Sequence, residues 1–393
     1  MGSLAPSTTT NKVLFITAGP RDESVATATP TIIENWNTKM EAYLQTPITH
    51  LREYKSSDGR TTTVTMTSLL SPTVTPAYLA AFTHIIFLGV DSYHAYLQPF
   101  MRLLKLLLPA AQRLNPSLHI HNPPAVVAWD ANKTYLATLE AAGFAIPHTT
   151  YIDPGATALE DLAKHIAAEH PNAAKLVLKP SIAASGVGTH LIEAPRDLTE
   201  ADGVALKAIG AAAATKVALL ESEGEDVAPE GTRAMIMVQE FLPAIQPVAG
   251  QEAADERWGE WSFVVIAGKV VQVARKRPVG GEWRVNSQYG GRSEVMSIED
   301  ARVPSTGRVV AEKLWQWLVA HEKSLKKGSP VEDRTELLYA RVDGVLGRDG
   351  NFTIMEAELI EPWLWLFEEG PGRAGLDAFV RAILEPEKGA RIE

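Results

Sequence analysis

The chain contains no cysteine, and this absence excludes several kinds of chemistry. Disulfides, a thiolate nucleophile and cysteine-ligated zinc all need that residue. Long apolar runs are also missing, since the most hydrophobic stretch, LLKLLLPAA, carries Lys105 and reaches a proline long before it could cross a membrane. It is expected to form a core-facing helix. The opening residues, MGSLAPSTTTNK, lack the apolar segment of a secretory signal, so we expect a cytoplasmic protein with no membrane partner.

Positive charge is scarce, because 37 basic residues face 47 acidic ones and the formal net charge is −10. A protein whose main partner is nucleic acid needs a basic face for the phosphates. Nucleic acid is therefore not an expected partner, although a local basic pocket would still suit a nucleotide. Two nucleotide-binding motifs are absent as well: no G-x-G-x-x-G follows the first predicted strand, and no G-x-x-x-x-G-K-[ST] loop occurs.

A length of 393 residues predicts two or three domains. Within residues 1–130, short apolar runs at 12–19, 84–90 and 125–129 predict strands between helical patterns, which indicates a small, mostly parallel α/β domain. Strand–loop–strand units follow, and they predict an antiparallel α+β region over 131–393. Within it, ESEGEDVAPEG (Glu221–Gly231) is expected to be an acidic loop.

The stretch LVLKPSIAASGVG places a lysine at the end of a strand, beside a loop of small residues. Gly186 and Gly188 allow the backbone to approach a ligand closely, and successive N–H groups can face an anion there. Lys179 would add positive charge. An ordinary hairpin loop explains the same pattern, so both interpretations stay open.

A second stretch, ARKRPVGGEWRVNSQYGG, concentrates basic residues among glycines in an otherwise acidic protein. One interpretation is a solvated, flexible loop. The other is a mobile lid whose basic side chains close over an anionic substrate and shield it from water.

The third stretch, RVDGVLGRDGNFTIMEAE, predicts a β-hairpin with a two-residue turn at Asp349 and Gly350. Residue numbers of paired positions then sum to 699, so that Asp343 faces Glu356 and Arg341 faces Glu358. By alternation, these four side chains are expected on one face together with Phe352 and Ile354.

Like charges directly opposite each other destabilise a sheet unless a cation or a shared proton compensates them. Oxygen-only ligands suit Mg²⁺ or Mn²⁺, and Arg341 beside them is suited to a transferring phosphate. A surface Arg341–Glu358 salt bridge with two solvated carboxylates is the alternative.

Taken together and in this order, the three stretches resemble the ATP-grasp superfamily, and in particular the branch that includes glutathione synthetase and the cycloserine-forming enzyme. The resemblance covers roughly residue 122 to the end. It implies an N-terminal α/β domain over 1–130 and a two-lobed ATP-grasp fold with antiparallel sheets, whose central lobe spans 131–242 and whose C-terminal lobe spans 243–393.

The resemblance also implies roles for single residues. Phosphate contacts go to the lysines and the Gly-rich loop (Lys133, Lys179, Ser185, Gly186, Val187 and Gly188), and adenine and ribose contacts go to Gln239, Glu240, Phe241, Leu242 and Glu260. Lys276, Arg284 and Asn286 would face phosphate or substrate, Arg341 the transferring phosphoryl group, and Asp343, Glu356 and Glu358 the metal. Relatives often carry asparagine where this chain has Glu358, so Glu358 either binds metal or pairs with Arg341.

The implied activity is an ATP- and Mg²⁺-dependent (or Mn²⁺-dependent) ligase. It would activate a small carboxylic acid, an amino acid or peptide-like acid, as an acyl phosphate for attack by an amine-type nucleophile. The expected assembly is a monomer or homodimer. The stretch PWLWLFEEGPGR, with Trp363, Trp365 and Phe367 in alternation, is expected either to line the substrate pocket or to pack in a core.

Three alternatives stay open at this point. One is a relative that stops at phosphoryl transfer or cyclises its own substrate. Another is an ATP-binding regulator without catalytic activity. The presence of all three metal-binding carboxylates argues against it. The third is a metal-dependent hydrolase that uses His119 and His121, which alternate on a strand but have no further ligand cluster nearby in sequence.

Overall fold

The computed structural model describes residues 10–18, 30–222, 233–247 and 257–385, with side chains of the first helix from residue 40 onward. Apart from Glu221 and Ser222, the predicted acidic loop lies outside these residues. Three sheets organise the described chain, one parallel and two antiparallel, which confirms the predicted combination of α/β and α+β architecture.

The N-terminal sheet has four parallel strands in the order β2-β1-β3-β4. Its strands are β1 (Asn11–Thr17), β2 (Thr62–Ser68), β3 (His84–Gly89) and β4 (His119–His121), and its helices are α1 (Pro30–Glu53), α2 (Pro76–Leu79), α3 (Leu97–Arg102), α4 (Leu108–Leu114) and α5 (Pro124–Asp130). A π-helical turn, Leu103–Leu107, joins α3 to α4. Every residue of β3 is buried, because helices cover both faces of the sheet.

The predicted strand at 125–129 is wrong, since AVVAW lies in helix α5. Pro124 stands at the first helical position, where its fixed φ suits a helix start, and the positive φ of Asn122 ends the preceding strand. A short apolar run cannot separate a buried helix from a buried strand by periodicity alone. The other two strands of the sheet, besides β1 and β3, are β4, which lies just before this run, and β2, whose sequence TTVTMTS was not predicted to form a strand.

The second sheet is antiparallel, in the order β5-β8-β6-β7. It comprises β5 (Thr149–Ile152), β6 (Leu176–Pro180), β7 (His190–Ile192) and β8 (Ile236–Glu240), with helices α6 (Tyr135–Ala141), α7 (Leu159–Glu169) and α8 (Glu200–Glu221). Strand alternation divides its residues: Leu176 and Leu178 pack against α7 and α8, whereas Val177 and Lys179 face the opposite side and line a cavity.

Helix α8 is long and apolar enough to span a membrane by length and composition, and it is the single such helix in the described part of the chain. Its buried side chains pack on two cores. Leu206 and Ile209 contact the second sheet, while Ala213 and Val217 belong to the core of the N-terminal domain. Packing within the fold therefore accounts for the buried side of this helix.

The third sheet is antiparallel, in the order β11-β10-β9-β12-β13. It comprises β9 (Glu260–Ile266), β10 (Lys269–Arg277), β11 (Arg292–Met296), β12 (Tyr339–Leu346) and β13 (Phe352–Glu358), with helices α9 (Ser305–Leu325) and α10 (Gly372–Leu384). Trp261, Phe263 and Val265 pack against α9. On the opposite face Val264 and Ile266 belong to the core that contains α10, and the rest of that face carries the charged residues described below.

The β12–β13 hairpin pairs Asp343 with Glu356 and Arg341 with Glu358, as the sequence predicts, but by a different route. The turn is not the predicted two-residue turn, because Gly347 N–H donates to Asn351 O (2.8 Å) and three residues form the loop. The residue numbers of the pairs next to this loop therefore sum to 698. A β-bulge at Met355 adds one residue and restores the predicted pairs.

Contrary to the prediction, Phe352 and Ile354 do not lie on the face of the carboxylates, and the bulge is the reason. Phe352 and Ile354 pack in the core beneath α9, together with Val342 and Ala357. Glu356 lies beyond the bulge, on the other face of the sheet, where it lines the cavities with Asp343. Simple alternation therefore fails between Ile354 and Glu356, because Met355 takes up an extra position on the side of the carboxylates.

Candidate active site

Three carboxylates converge at the end of the β12–β13 hairpin. Oxygen atoms of Asp343, Glu356 and Glu358 all lie within 4.8 Å of one another. Among the described residues no other group of three or more such side chains brings its ligand atoms together in this way. The arrangement requires the bulge, because Glu356 and Glu358 would otherwise not share a face with Asp343.

Three cations hold these carboxylates. Arg341 donates from Nε to Asp343 Oδ1 (2.9 Å) and from Nη2 to Asp343 Oδ2 (2.7 Å) and Glu358 Oε1 (2.5 Å). Lys133 Nζ lies 2.9 Å from Glu356 Oε1. Lys276 Nζ lies 2.9 Å from Asp343 Oδ2 and also contacts Glu260. The cluster is thus an alternating network of charges, in which Lys133, from the segment before α6, reaches Glu356 of the third sheet.

The pKa values of the three carboxyl groups diverge. Burial alone would raise the pKa of Asp343, but Arg341 and Lys276 hold it well below its usual range. The pKa of Glu356 is also lowered, because Lys133 outweighs burial. Burial raises the pKa of Glu358 to about 7 even beside Arg341, with the neighbouring carboxylates adding to the rise. Two carboxyl groups with lowered pKa values therefore lie next to one whose pKa is raised to about 7.

A cavity of about 130 Å³ extends from this cluster between the two antiparallel sheets. Every cofactor-binding residue predicted from the sequence lines it except Gly188, and these residues are Lys133, Lys179, Ser185, Gly186, Val187, Gln239, Glu240, Phe241, Leu242 and Glu260. Lys179 donates to Gln239 Oε1 (2.8 Å), and burial lowers the pKa of Lys179 to about 8. Gly188 packs against Pro180 at the base of the same loop.

The loop between β6 and β7 adopts left-handed backbone conformations at Ser185, Gly186 and Gly188, with φ of 55°, 70° and 72°. Glycine reaches such values without the penalty that a Cβ brings. The loop lies against the basic stretch, since Gln288 Nε2 donates to Ser185 O (2.5 Å) and Tyr289 OH donates to Gly186 O (3.4 Å). The two loops predicted separately from the sequence therefore form one surface.

Beyond β10, residues 279–291 of the basic stretch lie over the cavity and are called the lid below. Arg284 forms a bidentate pair with Glu282 (2.8 and 3.0 Å) and lies 3.5 Å above the ring of Tyr289. Both Arg284 and Asn286 line the 130 Å³ cavity, and Asn286 also lines the larger cavity described below. The predicted lid residues therefore lie over the site, with Arg284 held by an acidic partner that the sequence analysis did not assign.

A larger cavity, about 550 Å³ in volume, lies on the other side of the carboxylates, against the N-terminal domain. The two cavities share Lys133, Lys276, Arg341, Glu356 and Glu358, so they meet at the cluster. Trp363, Trp365 and Phe367 all line the larger one. Trp365 also belongs to the core that contains α10, and Trp363 packs against that core, so both interpretations of this stretch apply. Trp365 has a φ of 49°, which is uncommon for a large residue. This value indicates that the backbone in this wall of the cavity is constrained.

Sequence reasoning missed several cavity residues because they come from separate elements. Tyr43 on α1 stacks on Trp363 (ring centroids 4.0 Å apart) and its hydroxyl accepts from Leu364 N–H (2.9 Å). Asp91, Tyr93, Asp130 and Glu361 also line the larger cavity, while Trp283 and Met355 line the smaller one. Trp283 and Met355 lie within two of the three stretches described above, which assigned them no role, whereas no local motif marks the other positions. The aromatic alternation after the hairpin did indicate one wall.

His119 and His121, considered as metal ligands, lie on β4 in a stack with His84. His84 Nδ1 and His121 Nε2 are 3.1 Å apart, and burial lowers the pKa of all three imidazoles. Neither of the two histidines is among the residues that line the cavities. The hydrolase hypothesis gains no support from their position.

No protein-family model and no curated protein sequence matches the chain. Solved structures do resemble it over nearly its full length. One is D-cycloserine synthetase DcsG, with a TM-score of 0.60 and 20% identity over 96% of this chain and 99% of that chain. D-alanyl-alanine synthetase A from Vibrio cholerae O1 biovar eltor gives a TM-score of 0.54 with 9% identity, covering 96% of this chain and 98% of that one.

The ATP-grasp ligase PsnB, solved with a minimal precursor, Mg and ADP, gives a TM-score of 0.50 at 17% identity, covering 98% of this chain and all of that one. The chain therefore has the ATP-grasp fold, as the three motifs predict. At these identities the likeness concerns the fold, and the activity has to be argued from the side chains.

Proposed function

We propose that the protein is an ATP- and Mg²⁺-dependent carboxylate–amine ligase. The observation that carries the proposal is the meeting of two cavities at Glu356 and Glu358, which cluster with Asp343, and at Lys133 and Arg341, which pair with these carboxylates. A reaction between ATP and a second substrate needs such a junction, in which one cavity holds the nucleotide and the other the acid.

ATP would occupy the smaller cavity. The adenine would lie against the end of β8, where Phe241 and Trp283 stand edge to face with ring centroids 6.3 Å apart. Lys179 and the Gly-rich loop would hold the phosphates through their charge and their backbone N–H groups. Glu260 lines this cavity and is suited to the ribose hydroxyls, although it also contacts Lys276, so ribose binding would compete with that ion pair.

The donor set fits Mg²⁺ or Mn²⁺. Three carboxylates with oxygen atoms within 4.8 Å are hard ligands, and the described cluster contains no histidine that would favour a softer metal. Asp343, Glu356 and Glu358 would hold the ion, and Arg341 and Lys133 would turn from them to phosphate oxygens. When bound, the metal would offset the repulsion between ATP and a carboxylate substrate.

In the proposed reaction, a carboxylate oxygen attacks the γ-phosphorus and the bond to ADP breaks, which gives an acyl phosphate. An amine nitrogen then attacks the acyl carbon, phosphate leaves, and the amine loses a proton. Arg341, buried between the two cavities, is positioned to stabilise charge on the transferring phosphoryl group. The lid would keep water from the acyl phosphate.

A pooled metabolite screen that reads phosphate release tests the proposal. Release that requires both a carboxylic acid and an amine, with a product heavier by their condensation, supports a ligase. Release with one substrate alone and a product lighter by one water indicates the cyclising alternative. ATP binding with no turnover across the screen indicates a regulator, and lack of ATP binding overturns the proposal. A cytoplasmic location and a monomeric or homodimeric state stay predictions from the sequence.

A further inference from the structure

Lys179 differs from the other basic residues that line the smaller cavity. Each of the others pairs with a carboxylate, and they are Lys133, Lys276, Arg284 and Arg341. Within the residues that the structure describes, Lys179 forms no ion pair, and its Nζ donates to the neutral amide of Gln239 (Nζ to Oε1, 2.8 Å). The charge of Lys179 is therefore held without a directly bonded carboxylate and stays available to an anion.

The orientation of this amide follows from the hydrogen bonds around it. The hydroxyl of Thr149 donates to Pro147 O (2.7 Å), because a carbonyl oxygen can only accept. Since a hydroxyl has one proton, that of Thr149 can only accept from Gln239, and the donor 2.8 Å away is Nε2. Oε1 is then the atom that accepts from Lys179, whose ammonium can only donate. Three directed hydrogen bonds thus connect Pro147 O to Lys179.

The second sheet supplies the spacing of these bonds. Thr149 on β5 lies directly opposite Gln239 on β8, and Gln239 in turn lies opposite Val177 on β6. Lys179 is two residues further along β6 and is therefore the diagonal neighbour of Gln239 on the same face. Gln239 is 3% exposed, so little water can compete for its amide.

Such an arrangement prepares Lys179 for a phosphate. A lysine side chain has many rotamers, and it loses this freedom when a ligand fixes it. A side chain that is already held in place loses less, and binding is correspondingly stronger. The amide of Gln239 holds the ammonium without cancelling its charge, whereas a carboxylate at the same place would neutralise it.

We propose that Thr149 is a positioning residue of the nucleotide site, which acts through Gln239 to hold the ammonium of Lys179 toward the phosphates of ATP. Thr149 is not among the residues that line the two cavities, so it would not touch the nucleotide itself. The inference rests on the proposed function, since it takes the smaller cavity as the place of ATP.

A double-mutant cycle on the full-length protein tests this role. The Kd for ATP is measured by calorimetry with Mg²⁺ and without acid or amine, so that no turnover is required. Thr149→Val removes the hydroxyl, Lys179→Met removes the ammonium, and the double variant combines the two changes. Thr149→Ser keeps the hydroxyl. Thr150→Val is the matched control, because Thr150 is the next residue on β5 and its hydroxyl contacts His165 and His170 instead.

Thr149→Val is expected to fold, because Thr149 is half-buried on an edge strand. Its Kd for ATP is expected to rise about tenfold, the scale of weakening one charge-assisted hydrogen bond. Thr149→Ser and Thr150→Val should each change the Kd by less than about twofold. In the Lys179→Met background, Thr149→Val should have no further effect beyond about twofold, because the group that it positions is absent. A general loss of stability would instead add to the effect of Lys179→Met.

An unchanged Kd in Thr149→Val overturns the inference. So does a rise in Kd that Thr149→Ser shares, that Thr150→Val reproduces, or that adds in full to the effect of Lys179→Met. The failure of the ligase proposal looks different: if the unaltered protein does not bind ATP, both proposals are overturned. If it binds ATP and condenses an acid with an amine while Thr149→Val binds ATP equally well, the ligase proposal stands and the role of Thr149 alone is wrong.

Discussion

Asp343 lies directly opposite Glu356 in the β12–β13 pair, although a bulge separates them from the turn that joins their strands. Two carboxylates in this position are destabilising by themselves. Here each has its own cation, Arg341 for Asp343 and Lys133 for Glu356. The two ion pairs lie in one small volume, where the two cavities meet. Changes to the surrounding contacts should therefore have separable effects on turnover, nucleotide binding and stability.

Replacing a metal-cluster carboxylate should remove activity without unfolding the protein. Asp343→Asn and Glu356→Gln are each expected to lower turnover by about 10²-fold or more, the scale of losing one preorganised charge contact. Phosphate release measured over a Mg²⁺ titration is the assay. Asp349→Asn, on the exposed loop of the same hairpin, is the control. If Mg²⁺-dependent turnover survives in both variants, the metal assignment is wrong.

Arg284→Ala should impair product formation more than nucleotide binding, because Arg284 lies on the lid and not among the residues that would contact adenine. We expect turnover to fall by at least about tenfold while the Kd for ATP changes by less than about threefold, given that a mobile lid acts after binding. Arg302→Ala removes a comparable bidentate pair, with Asp300, away from both cavities and should be neutral. An unchanged rate in the Arg284 variant would exclude it from catalysis.

ATP affinity should weaken as pH rises through about 8. Burial lowers the pKa of Lys179 to about 8 in the free protein, and bound phosphates would raise it again. Lys179 is therefore protonated below about pH 8, where binding is strongest, and neutral above it. Above this value the Kd for ATP is expected to rise roughly tenfold per pH unit, because binding then requires the uptake of a proton. Calorimetry in buffers of different ionisation enthalpy measures both the Kd and the proton uptake. Lys179→Arg, which stays charged, should flatten the dependence; an unchanged slope would locate the titration elsewhere.

Lys276→Met should destabilise the fold. Lys276 is buried between Glu260 and Asp343, so its loss leaves carboxylates with less compensating charge. The expected cost is about 3–5 kcal/mol, measured as the free energy of unfolding in urea. Glu260→Gln in the same chain should recover part of it, because one of the uncompensated negative charges is then removed. Lys269→Met, at the exposed start of the same strand, should have little effect.

The pairing of carboxylates was predictable because it depends on local sequence. Alternating residues and an Asp-Gly turn signal give a hairpin, and the pairs Arg341–Glu358 and Asp343–Glu356 are those observed. The turn length and the bulge were both missed, and their effects on register cancelled. The side on which Phe352 and Ile354 lie could not be predicted, because these two side chains pack in a core with α9, which is distant in sequence.

Residue type and spacing within short segments of the chain are enough to predict the local units, which are the Gly-rich loop, the basic lid and the acidic hairpin. Which of these units meet depends on tertiary packing. Lys133 reaches Glu356, and Asp91, Asp130 and Glu361 share a cavity, although long stretches of chain separate them. Such contacts arise from the packing of whole sheets and helices, and no local pattern encodes a distance that depends on how separate elements pack.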